Sequence, residues 1–381
     1  MICREDLCTG CAACQNVCPT ACIAMQLSEE GFMLPYIDQN RCIHCKRCET
    51  VCPAAKAPHE ADTDTVWAMR NRDMEERRHS SSGGVFSPLA RSVLRCGGVV
   101  YGAQQFSALD VRHARIDSLQ ELPVLRGSKY IQSNTEKCYR SVQNDLEAGK
   151  SVLFAGTPCQ VAGLRAFLNK EYKCLLTVDL VCHGVISPLA VRAYLNEEDF
   201  PSENTQINWR DKNGEEGWHG ISLTLAANQS ARRRIFARTP LGQVFINNLL
   251  LRSSCYTCRN KTDRSPADIT LGDYWGIEKV HPELDDNMGT SVVVAHTQKG
   301  RNALKAIREE IEATPSTFEW AAKENWALYT HAQTNVDWSE AFALLKGEGL
   351  AAVWEKYLRQ PLWRRVGSKV KRAVCKVMRG K

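Results

Sequence analysis

Ten of the 18 cysteines in this 381-residue chain fall within its first 52 residues. Eight of them form two runs, Cys8, Cys11, Cys14 and Cys18 ahead of Pro19, and Cys42, Cys45, Cys48 and Cys52 ahead of Pro53. Three thiolates at two-residue gaps can wrap three irons of one cubane, and the fourth, beyond the turn, reaches the neighbouring cluster. Cys8, Cys11, Cys14 and Cys52 are therefore expected to hold one [4Fe-4S] cluster, and Cys42, Cys45, Cys48 and Cys18 the second. A zinc site uses similar CxxC pairs but leaves the third cysteine and the Cys-Pro ending without a purpose. Cys3 and Cys22 lie outside the pattern and read as packing or incidental thiols.

Tandem runs of this form match bacterial-type ferredoxins, which move single electrons and do not by themselves name a substrate. Eight further cysteines follow, at 96, 138, 159, 174, 182, 255, 258 and 375. Cys255 and Cys258 form a CxxC that needs two more ligands. Cys159 and Cys182 have the matching context, each just after a buried strand, at the edge of an open sheet where ligands collect. Cys159 also falls early in a helix begun by Thr157, where the helix dipole favours thiolate. Spacing leaves three outcomes open for this set: a third iron-sulfur cluster, a zinc ion, or no metal. Cys96, Cys138 and Cys174 sit in apolar or helical patterns and are expected to be packed.

The elements that must position these residues follow from periodicity and turn chemistry. "CIAMQLSEEGFMLPYID" predicts a hairpin joining two pseudo-symmetric halves, and the polar Ala54 to Thr65 stretch a linker. Strand, helix and strand are expected in "VWAMRN", "VFSPLARSVLRC" and "GVVYGAQ". The Ser80 to Gly84 loop would lie at that helix start, either as a plain N-cap loop or as a place where free N–H groups suit an anion such as a cofactor phosphate. "RGSKYIQS" reads as a surface turn. "SVLFAGTPCQVAG" and "CLLTVDLVCHGVISPLAVRAYL" each predict strand, turn and helix, the latter with Ser187 and Pro188 as cap and first helical residue. A Thr-Pro helix start and strands through Asp273 and "GTSVVVAHT" complete an α/β fold, predicted to have a largely parallel sheet.

The formal charge of +6 is uneven, because Glu355 to Lys381 holds ten Lys or Arg against one Glu and leaves a mildly acidic body. That distribution does not suit a nucleic-acid binder. A helical wheel over residues 361–381 separates Trp363 and the valines from the basic residues, which suits an anionic membrane surface; a docked terminal helix and disorder are the alternatives. Reduced thiols, no leader-like start and no long apolar run point to a soluble, cytoplasmic protein, with any peripheral contact at the inner face of the membrane.

The order of the cysteine runs, "SSGGV", "GSKY", "GTPCQV", "CHGV", the CxxC and "ADITLGDYWG" resembles the coenzyme F420 hydrogenase/dehydrogenase beta-subunit family, in a form with a fused N-terminal ferredoxin. The resemblance covers about residues 1 to 310. It implies an α/β flavin- and cluster-binding core behind a 2[4Fe-4S] ferredoxin module: ferredoxin at 1–58, beta-subunit N-terminal domain at 64–150, C-terminal domain with the CxxC at 151–312, a helical segment at 313–354, and the basic tail at 355–381. Residue by residue, it implies that Cys159, Cys182, Cys255 and Cys258 hold a third [4Fe-4S] cluster. FAD would lie near Ser81, Ser82, Gly83, Gly84, Lys129, Tyr130, Gly156 and Thr157. His183 would serve as a proton donor or as a sheet-bonding residue, and Asp273 would orient flavin or substrate or hold a turn. The implied function is an iron-sulfur flavoprotein oxidoreductase that exchanges electrons with a redox partner protein and reduces or oxidises a two-electron organic acceptor. A deazaflavin and a small molecule of surface-glycan metabolism are the acceptors considered. The alternative is a non-catalytic electron-transfer subunit docked on a partner enzyme.

Overall fold

A computed structural model describes residues 2–56 and 60–359. The first cysteine run enters helix Ala13–Val17 and the second enters helix Arg47–Thr50, with β1 (Ile23–Leu27) and β2 (Met33–Ile37) pairing antiparallel between them. The two runs repeat one backbone. Gly10 and Ala12 in the first have positive φ, and so do His44 and Lys46 at the equivalent places in the second.

The body is built on an eight-stranded sheet. Its strands are β3 (Val66–Asn71), β4 (Val99–Gln105), β5 (Val111–Ile116), β6 (Val152–Gly156), β7 (Leu175–Leu180), β11 (Ile269–Asp273), β12 (Ser291–Ala295) and β13 (Ile311–Ser316), ordered β13-β3-β12-β11-β7-β6-β4-β5. The expected α/β fold is present, with the ferredoxin module ahead of it. The sheet is mixed, not largely parallel: β4-β6, β6-β7 and β7-β11 run parallel, and the remaining four pairs antiparallel. Residues 274–290 hold only short turns of helix, so β12 returns beside β11 without a full crossover. Between β7 and β11 a separate antiparallel sheet, β8 (Gln206–Asp211), β9 (Ser222–Ala227) and β10 (Ser230–Ile235), adds three strands that the sequence pattern did not resolve.

Both faces of the large sheet are covered, which is why its central strands read as continuous apolar runs. Val100, Leu153, Val178 and Ile269 pack on one face with helix Phe86–Arg95. Val99, Phe154 and Leu175 pack on the other with helices Cys138–Glu147 and Pro158–Leu168. Cys138 is buried there as expected, whereas Cys96 caps its helix in solvent. A thiol one residue past the last apolar turn has left the packed face. The basic amphipathic tail at 361–381 lies outside the described residues, and no described helix is long and apolar enough to cross a membrane.

The ferredoxin module docks through its backbone. Gln132 donates to the Thr9 carbonyl (2.7 Å), Thr135 to Cys11 (3.0 Å), and Arg140 to Asn16 (2.6 Å) and Cys18 (2.7 Å). Gly163, on helix Pro158–Leu168, faces this loop so closely that a Cβ there would lie 2.9 Å from Cys11 Cβ and Sγ. Gly163→Val is therefore expected to cost about 1–3 kcal/mol by overpacking, read as a lower urea midpoint; an unchanged midpoint would mean that the contact tolerates a side chain.

Candidate functional site

Strands β4, β6, β7 and β11 all point their carboxyl ends to one edge of the sheet, and β3 ends and β12 begins at that same edge. This edge gathers most of the chemistry-bearing residues. After β6, Thr157 and Gln160 close a reciprocal capping box with Pro158 as first helical residue, so the tight turn delivers Cys159 at the helix start. After β7 come Cys182 and His183. The bridge between Ile186 and Leu251 brings the short helical turn Ser253–Thr257, with Cys255 and Cys258 at its end, beside them.

Cys159, Cys182, Cys255 and Cys258 line one cavity of about 460 Å³, together with Thr9 of the ferredoxin loop, Thr157, His183, Arg252 and Lys261. Burial pushes Cys159 and Cys182 up from the ordinary thiol range and Cys255 up to about 12, and the neighbouring thiols add to the rise in each. Against this, Lys261 draws Cys182 down while its ammonium donates to the Cys182 carbonyl at 2.7 Å. Clustered buried thiols that resist ionisation alone are the donor set a cationic iron core neutralises, so these residues fit a cluster. Among the described residues no three His, Cys, Asp or Glu side chains converge on a single ion.

A second cavity of about 360 Å³ is lined by Cys8, Cys11, Cys14 and Cys52, the set expected for one ferredoxin cluster, and also by Cys3. Hydrogen bonding from Cys3 draws Cys8 down to about 7 and Cys52 to about 6. Cys22 likewise lies 3.4 Å from Cys18, in a group against which Cys42 and Cys48 pack. The two cysteines outside the motif thus each stand beside motif cysteines. Cys45 is exposed, and Cys42 and Cys48 are half-buried, so the second ferredoxin site faces solvent.

His183 stacks on Phe245 at 4.5 Å and bonds the Phe245 carbonyl through Nε2 at 3.0 Å. Burial pushes its pKa down to about 4, so the ring is neutral at pH 7 and donates that proton to the carbonyl. Asp273, at the end of β11, pairs with the buried Arg210 at 2.6 Å and accepts from the Trp218 indole at 3.0 Å.

The residues expected near a flavin form one neighbourhood at the β3 and β12 side of the edge. The Ser81 hydroxyl accepts from the Ser128 N–H (2.6 Å), the Ser82 hydroxyl donates to Thr290 (2.9 Å), and Gly83 N–H donates to Ser291 (2.9 Å). A Cβ on Gly83 would strike the Met69 carbonyl at 2.4 Å, and Gly84 has φ +79. Lys129 Nζ rests on the Leu125 and Arg126 carbonyls, and Tyr130 stacks on Phe245 at 4.7 Å. Thr157 lines the thiol cavity instead, and Gly156 ends β6 just before it.

Lys212 escaped notice in the sequence, hidden in the unrecognised sheet. Its ammonium donates to the carbonyls of Arg77, Ser82 and Met288 at 2.7–2.9 Å. Burial pushes Lys129 and Lys212 each down to about 7, and neither has a carboxylate at ion-pair distance among the described residues. Two such cations beside a Ser-Gly loop fit the phosphates of a dinucleotide. A hydrogen-bond chain also went unseen: His113 Nε2 donates to Ala155, Ser133 donates to His113 Nδ1, and Gln160 Nε2 donates to Ser133 while its Oε1 accepts from Thr157. It ties β5 to the turn that carries Cys159.

A protein with two such cysteine runs on an α/β body is an iron-sulfur electron-transfer protein. Residues 149–318 match the family model for the carboxyl-terminal domain of the coenzyme F420 hydrogenase/dehydrogenase beta subunit. Residues 7–56 and 34–83 each match a 4Fe-4S dicluster domain. The segment behind the 4Fe-4S dicluster module is thus similar to the carboxyl-terminal domain of that beta subunit. A solved chain of the F420-reducing [NiFe] hydrogenase complex from Methanosarcina barkeri is similar at 15% identity and a TM-score of 0.49, over 79% of this chain and 93% of that one. No curated protein matches the chain.

Two outcomes follow from the geometry. Asp273→Asn leaves Arg210 buried without its counter-charge and is expected to cost roughly 3 kcal/mol, whereas Trp218→Phe, losing one hydrogen bond, costs about 1 kcal/mol; urea unfolding of both variants compares them. His113 has its pKa pushed from near 6.5 down to about 4 by burial. The unfolded chain therefore takes up a proton that the folded ring refuses, and stability falls as pH drops from 6.5 toward 4. His113→Gln should flatten that part of the stability curve, and an identical slope in both proteins would remove His113 from it.

Proposed function

We propose that this protein is a flavin-dependent iron-sulfur oxidoreductase with three [4Fe-4S] clusters, two in the ferredoxin module and one held by Cys159, Cys182, Cys255 and Cys258. The observation that carries this is the single cavity lined by those four thiols, drawn from three distant segments of the chain, with Thr9 of the ferredoxin loop in its wall. FAD would be held by the Ser81, Ser82, Gly83 and Gly84 loop, by Lys129 and by Lys212, with Tyr130 in the adjoining aromatic group. A flavin supplies the conversion between one-electron and two-electron transfer that clusters do not make alone.

The chain's own residues do the positioning. The Thr157–Gln160 capping box fixes the helix start that bears Cys159, and Lys261 anchors the Cys182 backbone. Phe245 and Trp326 pack on His183 and shield that wall of the cavity from water. His183 keeps its Nε2 proton on the Phe245 carbonyl, which supports a structural role for it. Thr157, which lines the thiol cavity, is better matched to the cluster than to the flavin loop. The exposed Cys45 and half-buried Cys42 and Cys48 support a redox partner protein that meets the second ferredoxin cluster at the surface. The acceptor is a two-electron organic molecule, with a deazaflavin or a surface-glycan metabolite as candidates. Cytoplasmic residence, with peripheral contact through residues 361–381, belongs to the same proposal.

Anaerobic purification with iron, sulfide, zinc and flavin analysis tests this. About twelve irons and one FAD are expected, and Cys255→Ser should lose about four irons while keeping the ferredoxin signals. Eight irons without flavin would leave an electron-transfer subunit, and zinc in the core would overturn the third cluster.

A further inference from the structure

Arg252 reaches from the thiol cavity of the core to the backbone of the ferredoxin module. It stands three residues before Cys255 and lines the four-thiol cavity of the core. Its Nη1 donates to the Cys8 carbonyl at 3.0 Å and its Nη2 to the Met33 carbonyl at 3.1 Å, both in the ferredoxin module. Its guanidinium lies 5.0 Å from the centre of the Phe32 ring of that module. The side chain is 3% exposed, forms no ion pair with a carboxylate among the described residues, and leaves Nε without a hydrogen-bond partner. Burying a cation that way is costly unless anions lie nearby. Burial pulls the guanidinium down from its ordinary range, and Cys8 and Cys11 on one side and Cys255 and Cys159 on the other are near enough to favour its charge when they are thiolates.

The backbone is shaped to admit this side chain. Gly10 has φ +65, and a Cβ there would lie 2.7 Å from Arg252 Nη2. The second repeat has His44 at the equivalent position with φ 53, so the conformation alone does not demand glycine. At Gly10 a side chain would crowd the guanidinium, whereas His44 is exposed.

We propose that Arg252 is a positioning residue shared by two redox centres: its one positive charge raises the reduction potentials of both the Cys8–Cys11–Cys14–Cys52 centre and the Cys159–Cys182–Cys255–Cys258 centre. This rests on the third cluster proposed above. An electron added to either centre increases the negative charge beside the guanidinium, so the fixed cation favours the reduced form of each. One electron passes with one centre oxidised and the other reduced, and no bond or proton changes place. The second ferredoxin centre, which does not touch Arg252, is unaffected. A purely mechanical clamp would hold the two carbonyls and leave the potentials alone.

The test is a redox titration of the full-length protein followed by electron paramagnetic resonance, comparing wild type, Arg252→Met and Arg252→Lys. In Arg252→Met the equilibrium constant for reducing the two flanking centres is expected to fall about tenfold, about 59 mV for one electron, with the Cys42–Cys45–Cys48–Cys18 centre unmoved. Arg252→Lys, which keeps the charge and loses the fork, should give a smaller fall in the same two. Unmoved potentials in Arg252→Met, or an equal shift in all three centres, would overturn the proposal. If Arg252→Met does not fold, Arg252→Gln, which also removes the charge but keeps hydrogen-bond donors for the two carbonyls, takes its place: a fall confined to those two centres supports the proposal and no fall overturns it. Iron content separates this failure from that of the third cluster. About twelve irons with unmoved potentials removes only the role of Arg252, whereas about eight irons in the wild type removes the core centre and the shared role together.

Discussion

Charge without a carboxylate to balance it organises this molecule. Arg252, Lys261, Lys129 and Lys212 are each buried or nearly so, and the described residues offer none of them a paired acid. Their protons go instead to backbone carbonyls, which satisfy hydrogen bonding but not charge. Isolated buried cations are expensive. Arg252 and Lys261 line the thiol cavity and Lys212 bonds the Ser-Gly loop, so these two places along one edge suit anionic groups. Arg210, by contrast, has Asp273, and that pair is a finished structural interaction.

That edge owes its position to strand direction. Four parallel strands, β4, β6, β7 and β11, open their carboxyl ends together, and each is buried on both faces by helices or by neighbouring strands. The loops that leave them are the parts free to carry polar function: Thr157 is the first residue off β6, Cys182 the second off β7, and Asp273 ends β11. The ferredoxin module then caps one side of this opening through backbone hydrogen bonds from Gln132, Thr135 and Arg140. The Asn16 side chain, which donates to the Glu136 carbonyl at 2.7 Å, and Phe32, packed on Phe342, add side-chain contacts from the module itself.

The legible part of the sequence was the part governed by local rules. The CxxCxxCxxxCP runs, the hairpin between them and the Thr-Pro and Ser-Pro helix starts each report a short-range constraint, and the structure has these elements where they were read. Strand direction is not local. The alternation of strands and helices suggested a parallel sheet, but the 274–290 connection returns antiparallel, and nothing in its composition states the direction. The β8–β10 sheet was invisible for a related reason: "QINWRD" and "SARRRI" are too polar to look like strands, because their outer faces meet solvent. Lys212 and Arg210, which matter most in that region, vanished with it.

The asymmetry between the two cysteine repeats carries the deepest structural information. Sequence similarity made them look interchangeable, and their matched positive φ values at Gly10 and His44, and at Ala12 and Lys46, bear out a common backbone. Their surroundings are opposite. Cys8, Cys11 and Cys14 are buried against the core, whereas Cys45 is exposed. At position 10 a guanidinium lies where a Cβ would come, whereas His44 is exposed. One repeat is therefore the inward end of the module and the other the outward end. A duplicated element has been given a direction by a single buried side chain on the domain it serves.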